Sequence, residues 1–299
     1  MDEHGRELDR PGRTRIAVRR GVAAAAVLAV LAVAGWAGAS ILRDESPPPP
    51  PPETGPALAR LRIIFPEGFT KREMADRVEA VRQIAIDKRG VTPRLTGSGY
   101  ELAAATAVPP REFRRNRKLS SIEGFLFPAT YEFTQYTPSA KLVSDQLRAF
   151  RRQWRKVDLR YARSKNLTPY DVLIIASMIE KETVAPEERR LVAAVVYNRL
   201  RQGMPLGIDA TIRYGRDVPG TEPLKQSDLE SDDPYNTRRR LGLPPTPISN
   251  PGLASMRAAA NPARVDYLYF VRKPDGVHHF FTASESEFFR KKCEYGFGC

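Results

Sequence analysis

Apolar and polar positions along the chain fall into two regimes. From Gly21 to Leu42 the sequence is almost continuously apolar, with no polar face. That stretch is long enough to cross a bilayer as one helix. Arg13, Arg15, Arg19 and Arg20 precede it, and Asp44 and Glu45 come after Arg43. The positive-inside rule then predicts a cytoplasmic amino terminus and an exported remainder. A cleaved signal peptide is the competing reading, because Ala37 and Ala39 make an A-x-A site, although the run is longer than a usual signal core. The unbroken prolines Pro47 to Pro52 follow, a stiff spacer of about 3 Å per residue.

Beyond Leu61 the pattern becomes short and periodic. Arg62 to Phe65 suits a strand and Pro66-Glu67-Gly68 a turn. Thr70 with Glu73 then forms a capping box ahead of a helix whose inward face is Met74, Val78 and Val81. The segment SSIEGFLFPATYEF, Ser120 to Phe133, is dense in aromatics that belong in a core. Leu142, Val143, Leu147, Phe150 and Trp154 keep helical spacing and predict one amphipathic helix from Ala140 to Ser164. Thr168, Pro169 and Asp171 are a helix start, and Val172 to Ile179 is apolar on every side. A second helix runs from Pro186 to Gly203, with Leu191, Val192, Val195 and Val196 inward. Met204 to Gly215 reads as loop and strand. Asn250 and Pro251 begin a helix that Pro262 stops. Tyr267 to Val271 and Val277 to Thr282 alternate around Pro274-Asp275-Gly276, a hairpin, and Ser284 with Glu287 caps a last short helix.

The buried helix from Thr168 runs straight into Glu180, Lys181 and Glu182, and helical spacing separates the two acids. Glu182 lies seven, four and three residues after Ile175, Met178 and Ile179 and continues their stripe, while Glu180 points about 200° away. A carboxylate on an apolar stripe has its pKa raised, as a general acid requires. An ordinary solvated helix end fits the same spacing.

Composition narrows the partners. The 299 residues suffice for one large domain and a small one, and the net charge of +13 points to an anionic partner. Nucleic acid, acidic lipid and anionic wall polymer all qualify. The chain has no zinc-finger spacing, Gly-rich phosphate loop or RNP-like aromatic pattern, which sets nucleic acid aside. His278 and His279 have no acid or cysteine at metal-ligand spacing, so no metal site is expected. Cys293 and Cys299 permit a disulfide. No nucleophile elbow supports a Ser-His-Asp hydrolase.

ASMIEKET (Ala176 to Thr183), then ERR, then VVYNRLRQGMPLGIDATIRYG (Val195 to Gly215), together resemble the membrane-anchored endolytic murein transglycosylases, the YceG-like or MltG family. EGFLFPATYEF upstream, and PYNTRRRLGLPPTPISNPGLASMRAAANP and YLYFVRKPDGVHHF downstream, match it in the same order, over roughly Leu61 to Phe289. The resemblance implies an α+β fold in several parts. These are a cytoplasmic amino terminus (1–20), a single transmembrane helix (21–42), a Pro-rich linker (43–60), a small LysM-like α+β module (61–118) and a mixed α+β catalytic domain with a lysozyme-like helical acid site (119–299). Only one LysM-like unit is legible, so that module is read as a glycan binder or as a packing spacer.

The resemblance also implies chemistry. One acid, Glu182, would protonate the MurNAc–GlcNAc bond and then, as a base, help the MurNAc C6 hydroxyl close on C1, leaving a 1,6-anhydro end. Glu180, Asn198, Tyr235, Asn236, Thr237 and Glu123 are the implied substrate-site residues, and one of the two histidines matches a family His-x-Phe position. A later family histidine is Glu287 here. No cofactor is implied. The implied partners are peptidoglycan strands, the membrane and peptidoglycan synthases. Two alternatives remain: a non-catalytic wall-binding protein, and a hydrolytic muramidase with Glu123 or Asp209 as its second carboxylate.

Overall fold

The computed structural model describes residues 60–114, 116 and 119–298, so the Gly21–Leu42 span, the proline run and Cys299 lie outside the described residues. Among the described residues no helix is long and apolar enough to cross a membrane.

The chain begins with β1 (Leu61–Ile64), whose alternate residues Leu61 and Ile63 face inward. Helix α1 (Lys71–Arg89) starts on the Thr70–Glu73 capping box and ends at Gly90 in the left-handed conformation. Its buried residues Met74, Ala75 and Val78 pack on α2 (Gly97–Thr106). The antiparallel partner of β1 is β2 (Thr130–Phe133), with Leu61 opposite Phe133. This small sheet therefore closes across residue 118, the boundary drawn from the sequence. Tyr100 Oη donates to Gln146 (2.6 Å) and ties α2 to α3 (Ser139–Trp154).

The single helix expected over Ala140 to Ser164 is two, α3 and α4 (Arg160–Ser164). The break has a local cause: Asp158 accepts the N–H of Arg160 (3.0 Å), the kind of side-chain bond that begins a new helix. Phe113, Phe125, Phe150, Trp154 and Tyr170 form an aromatic cluster under α3, with ring centroids 4.9 to 6.2 Å apart. Such rings dominate the energetics of a core.

Helix α5 (Pro169–Glu182) is the centre of the structure. Every residue from Tyr170 to Ile179 is buried. Thr168 and Asp171 cap it reciprocally. After a 3₁₀ turn at Pro186–Glu188, α6 (Arg189–Gln202) ends at Gly203 in the left-handed conformation. The segment expected as loop and strand instead carries helix α7 (Asp209–Arg216). Asp209 at its start and Arg213 and Arg216 at its end suit the helix dipole, and Thr211 and Ile212 are its buried stripe. A run this short is ambiguous from periodicity alone. The short α8 (Gln226–Leu229) and then α9 (Leu253–Ala260) follow. Helix α9 begins two residues after Pro251 and packs against both α5 and α6. The expected hairpin forms from β3 (Tyr269–Arg272) and β4 (His279–Thr282), and α10 (Glu285–Glu294) is capped by Ser284.

Candidate active site

Two structural bonds set the end of α5 in a fixed frame. Ser177 accepts the N–H of Ile248 (3.0 Å), and Ser249 donates to the Ser177 carbonyl (3.0 Å). The 246–250 loop is thus strapped across the middle of α5. The last turn of the helix then emerges beside a cavity of about 1350 Å³, and Glu182 lines it. Part of the Glu182 surface stays open to that cavity while protein crowds the rest of its carboxyl. Desolvation and the nearby Asp209 carboxylate raise its pKa to about 7, against the opposing fields of Arg272 and Arg238 and the backbone N–H of Ala210. At neutral pH such a group is present in both protonation states. The neighbouring Thr183 hydroxyl is buried without a hydrogen-bond partner among the described residues.

A second acid lines the same cavity. Glu123 is wholly buried, and four bonds hold its carboxyl. The Lys71 N–H, at the start of α1, donates to both oxygens (3.0 and 3.2 Å), Asn250 Nδ2 to Oε1 (2.7 Å) and Tyr214 Oη to Oε2 (3.2 Å). Burial outweighs these donors and lifts its pKa to about 7. The residue after it must be glycine. Gly124 has φ +88°, and a Cβ there would stand 2.7 Å from Pro247. Glu123 therefore fastens the start of α1, the far end of α7 and the 250 loop to one point.

Helix α7 and the loop after α8 supply a further part of the lining. Tyr214 and Tyr235 stand as a tilted pair with centroids 5.1 Å apart, and Tyr235 Oη shares a hydrogen bond with Thr246 Oγ1 (2.8 Å). Gly215 permits this approach, since a Cβ there would fall 2.3 Å from Asp233 Oδ1. Asp209 also faces the cavity, held by Arg238 (2.8 Å). Aromatic faces beside hydrogen-bonding groups are what a sugar-binding cleft offers.

Residues 52–294 match the YceG-like family. The chain belongs to that family. It is 37% identical over 186 residues to the endolytic murein transglycosylase of Bacillus subtilis, covering 61% of this chain and 50% of that one. To the endolytic murein transglycosylase of Streptococcus pneumoniae R6 it is 38% identical over 157 residues, 50% of this chain and 28% of that one. The chain thus spans half or less of the length of these relatives. A crystal structure of a yceG-like protein from Listeria monocytogenes superposes with a TM-score of 0.64 at 28% identity, covering 77% of this chain and 76% of the other. The mixed α+β fold agrees with that structure.

In this YceG-like chain the sequence-predicted residues divide into two groups. Glu182, Glu123 and Tyr235 line the cavity, whereas Glu180, Asn198, Asn236 and Thr237 do not. The Glu180 side chain is buried, ion-paired with Arg189 (3.7 Å), and accepts the Gly252 N–H (2.8 Å), which joins α5 to the starts of α6 and α9. Asn198 donates to the Val265 and Tyr267 carbonyls (both 2.9 Å) and so anchors the strand hairpin. Asn236 is fully buried and donates to the Leu229 and Ser231 carbonyls (2.9 and 2.8 Å). Thr237 accepts the Ile208 N–H (3.0 Å), just before α7. Asn236 and Thr237 shape the loop that presents Tyr235, and their own side chains are used up in doing so.

The histidines are also structural. His279 Nδ1 lies 2.7 Å from Glu188 in the interior, and His278 lies 2.9 Å from Asp275 on the surface. No cluster able to hold a metal occurs among the described residues. Cys293 is disulfide-bonded, and its sequence-expected partner lies outside the described residues. Two residues that matter were not singled out from sequence. Asn250 read as a helix start, yet its amide holds Glu123, the Phe69 carbonyl and, through Oδ1, the Leu126 N–H. Tyr214 read only as part of a motif. The one available signal was its position four residues after Ala210, a same-face helical spacing that the expected strand obscured, and both residues line the cavity.

Proposed function

We propose that this YceG-like chain is an endolytic peptidoglycan lytic transglycosylase, with Glu182 as its single acid–base group. The observation that carries the reading is the placement of Glu182: at the end of a fully buried helix, facing a large cavity, with a pKa of about 7. A general acid works best when its pKa is near the working pH. Protonated Glu182 gives its proton to the glycosidic oxygen between MurNAc and GlcNAc. The C1–O bond breaks, and the N-acetyl carbonyl supports the cation. The carboxylate left behind takes the proton of the MurNAc C6 hydroxyl, whose oxygen closes on C1. The products are a GlcNAc end and a 1,6-anhydro-MurNAc end, with no water consumed and Glu182 reprotonated. Internal cutting of nascent strands in this way would terminate their elongation.

A hydrolytic muramidase needs a second free carboxylate across the bond. Glu123 is enclosed with both oxygens occupied, and Asp209 is engaged by Arg238, which favours the single-acid route. The chain is read as anchored in the cell membrane by Gly21–Leu42, amino terminus inside and cleft outside, where peptidoglycan synthases are natural partners. The order β1, α1, α2, β2, with β1 paired to β2, supports a LysM-like reading of the first module, whose second strand then lies past residue 118. The test is product analysis by mass spectrometry after incubating the full-length protein in detergent with uncrosslinked glycan. Anhydro ends are expected. Reducing ends would mean a hydrolase, and no cleavage a binding protein.

A further inference from the structure

The cavity is lined by more charge than a neutral sugar backbone requires, and most of it is already matched. Arg72 pairs with Asp217, and Lys181 reaches Glu73 (4.0 Å) and the Gly68 carbonyl (3.2 Å). Arg213 donates to the carbonyls of Pro219 and Glu222 (2.8 and 2.7 Å). Two exposed cations remain without an ion pair or side-chain hydrogen bond among the described residues: Lys71 at the start of α1 and Arg272 at the end of β3.

Arg272 is delivered to the cavity on a stiff support. Its hairpin is tied to α6 by Asn198, by Arg199 Nε donating to the Leu268 carbonyl (2.6 Å), and by the buried contact of His279 with Glu188. Its position in the strand register is opposite His279. It stands within electrostatic range of Glu182 without an ion pair within 4.0 Å, and the Lys71 ammonium, unlike its backbone N–H, stands likewise to Glu123. A guanidinium presented this way offers its hydrogen-bonding fork to an anion that arrives with the substrate.

In a stem-bearing strand the lactyl carboxyl of MurNAc is tied up as an amide, so the sugar backbone carries no charge. The acidic groups on a strand are the carboxylates of the peptide that hangs from the MurNAc lactyl group, next to the bond Glu182 would cut. We propose that Arg272, with Lys71 on the same cavity, binds a carboxylate of the peptide stem, so that the enzyme selects strands whose stem carboxylates are free over strands in which they are masked as amides. This rests on the lytic reading above.

The experiment compares kcat/KM of the full-length protein on two uncrosslinked stem-bearing substrates, strands whose stem carboxylates are free and strands whose stem carboxylates have been converted to amides. Wild type is expected to prefer the free-carboxylate strands by about tenfold or more, the worth of a charge-assisted hydrogen bond. In Arg272→Gln that ratio should fall towards one, with Arg272→Lys in between and Lys71→Gln giving a smaller fall. Taking the ratio cancels any change in Glu182 common to both substrates. A wild-type ratio near one, or an unchanged ratio in Arg272→Gln, overturns the inference while leaving the lytic reading intact. No anhydro product from either substrate overturns both.

Discussion

Replacing Glu123 by glutamine isolates the energetic consequence of burying this acid. The folded carboxyl titrates near 7, against 4.5 for the ordinary group, because burial disfavours its charged form. A group whose pKa is raised on folding contributes stability that is present in full below about pH 4.5 and is lost as pH rises through about 7. The span corresponds to about 3 kcal/mol. For a domain of this size that is roughly 6–12 °C in Tm. The surroundings accept a carboxamide at the loss of one contact: its oxygen at the Oε1 position keeps the Lys71 and Asn250 donors, its NH₂ at the Oε2 position can donate to the Tyr214 hydroxyl, and the longer Lys71 bond to Oε2 (3.2 Å) is given up. Melting curves by circular dichroism from pH 5 to 8.5 provide the assay. Wild-type Tm should fall across that range, and Glu123→Gln should be the more stable protein at pH 8.5 with most of the slope gone. Glu182, partly open to the cavity, adds a smaller slope in the same window, so Glu123→Gln/Glu182→Gln should be flatter than Glu123→Gln alone. Wild-type and Glu123→Gln curves that shift in parallel would refute the burial account.

Asn250→Ala removes the acceptor of the buried Leu126 N–H and the shortest donor to Glu123, and chemical denaturation should show a loss of about 2–5 kcal/mol; a loss below about 1 kcal/mol would remove Asn250 from the framework. Since Glu182 must start protonated, kcat/KM should decline above about pH 7, approaching tenfold per pH unit, and a profile flat to pH 8.5 would exclude it as the acid. Protease added to intact spheroplasts should digest the chain beyond Pro47 and leave a protected amino-terminal stub; a soluble form lacking residues 1–39 would refute the anchor.

What could be read from the sequence was local. The capping pairs Thr70–Glu73 and Thr168–Asp171, the left-handed Gly203 and the Pro274–Gly276 hairpin each depend on residues a few positions apart, and they form as the pattern requires. The divergence of Glu180 and Glu182 was legible for the same reason, since a helix fixes relative direction. The fate of each direction was not, because it depends on what packs there: Arg189 and Gly252 receive Glu180, and open space receives Glu182. Glu123 is bound by Lys71, Tyr214 and Asn250, which stand 52, 91 and 127 residues away in sequence. No periodicity reports such contacts. Asn236 and Thr237 show the converse limit: residue types suited to holding sugars are equally suited to holding a loop, and only their complete burial decides between the two.

The central claim is that one carboxylate, Glu182, performs the chemistry while its neighbour Glu180 holds the helices together. Glu182→Gln preserves size and a hydrogen-bond donor but cannot cycle a proton. The direct measurement is the rate at which 1,6-anhydro-MurNAc ends form from uncrosslinked glycan, followed by mass spectrometry for wild type, Glu182→Gln and Glu180→Gln, with a melting curve for each. Glu182→Gln should remain folded and lose on the order of 10²–10⁴-fold or more in turnover, the contribution of a general acid–base group. Glu180→Gln should melt earlier yet keep most of its turnover while folded. Near-normal cutting by Glu182→Gln would contradict the assignment, and if Glu180→Gln were then the inactive variant, the acid would lie on the other face of α5.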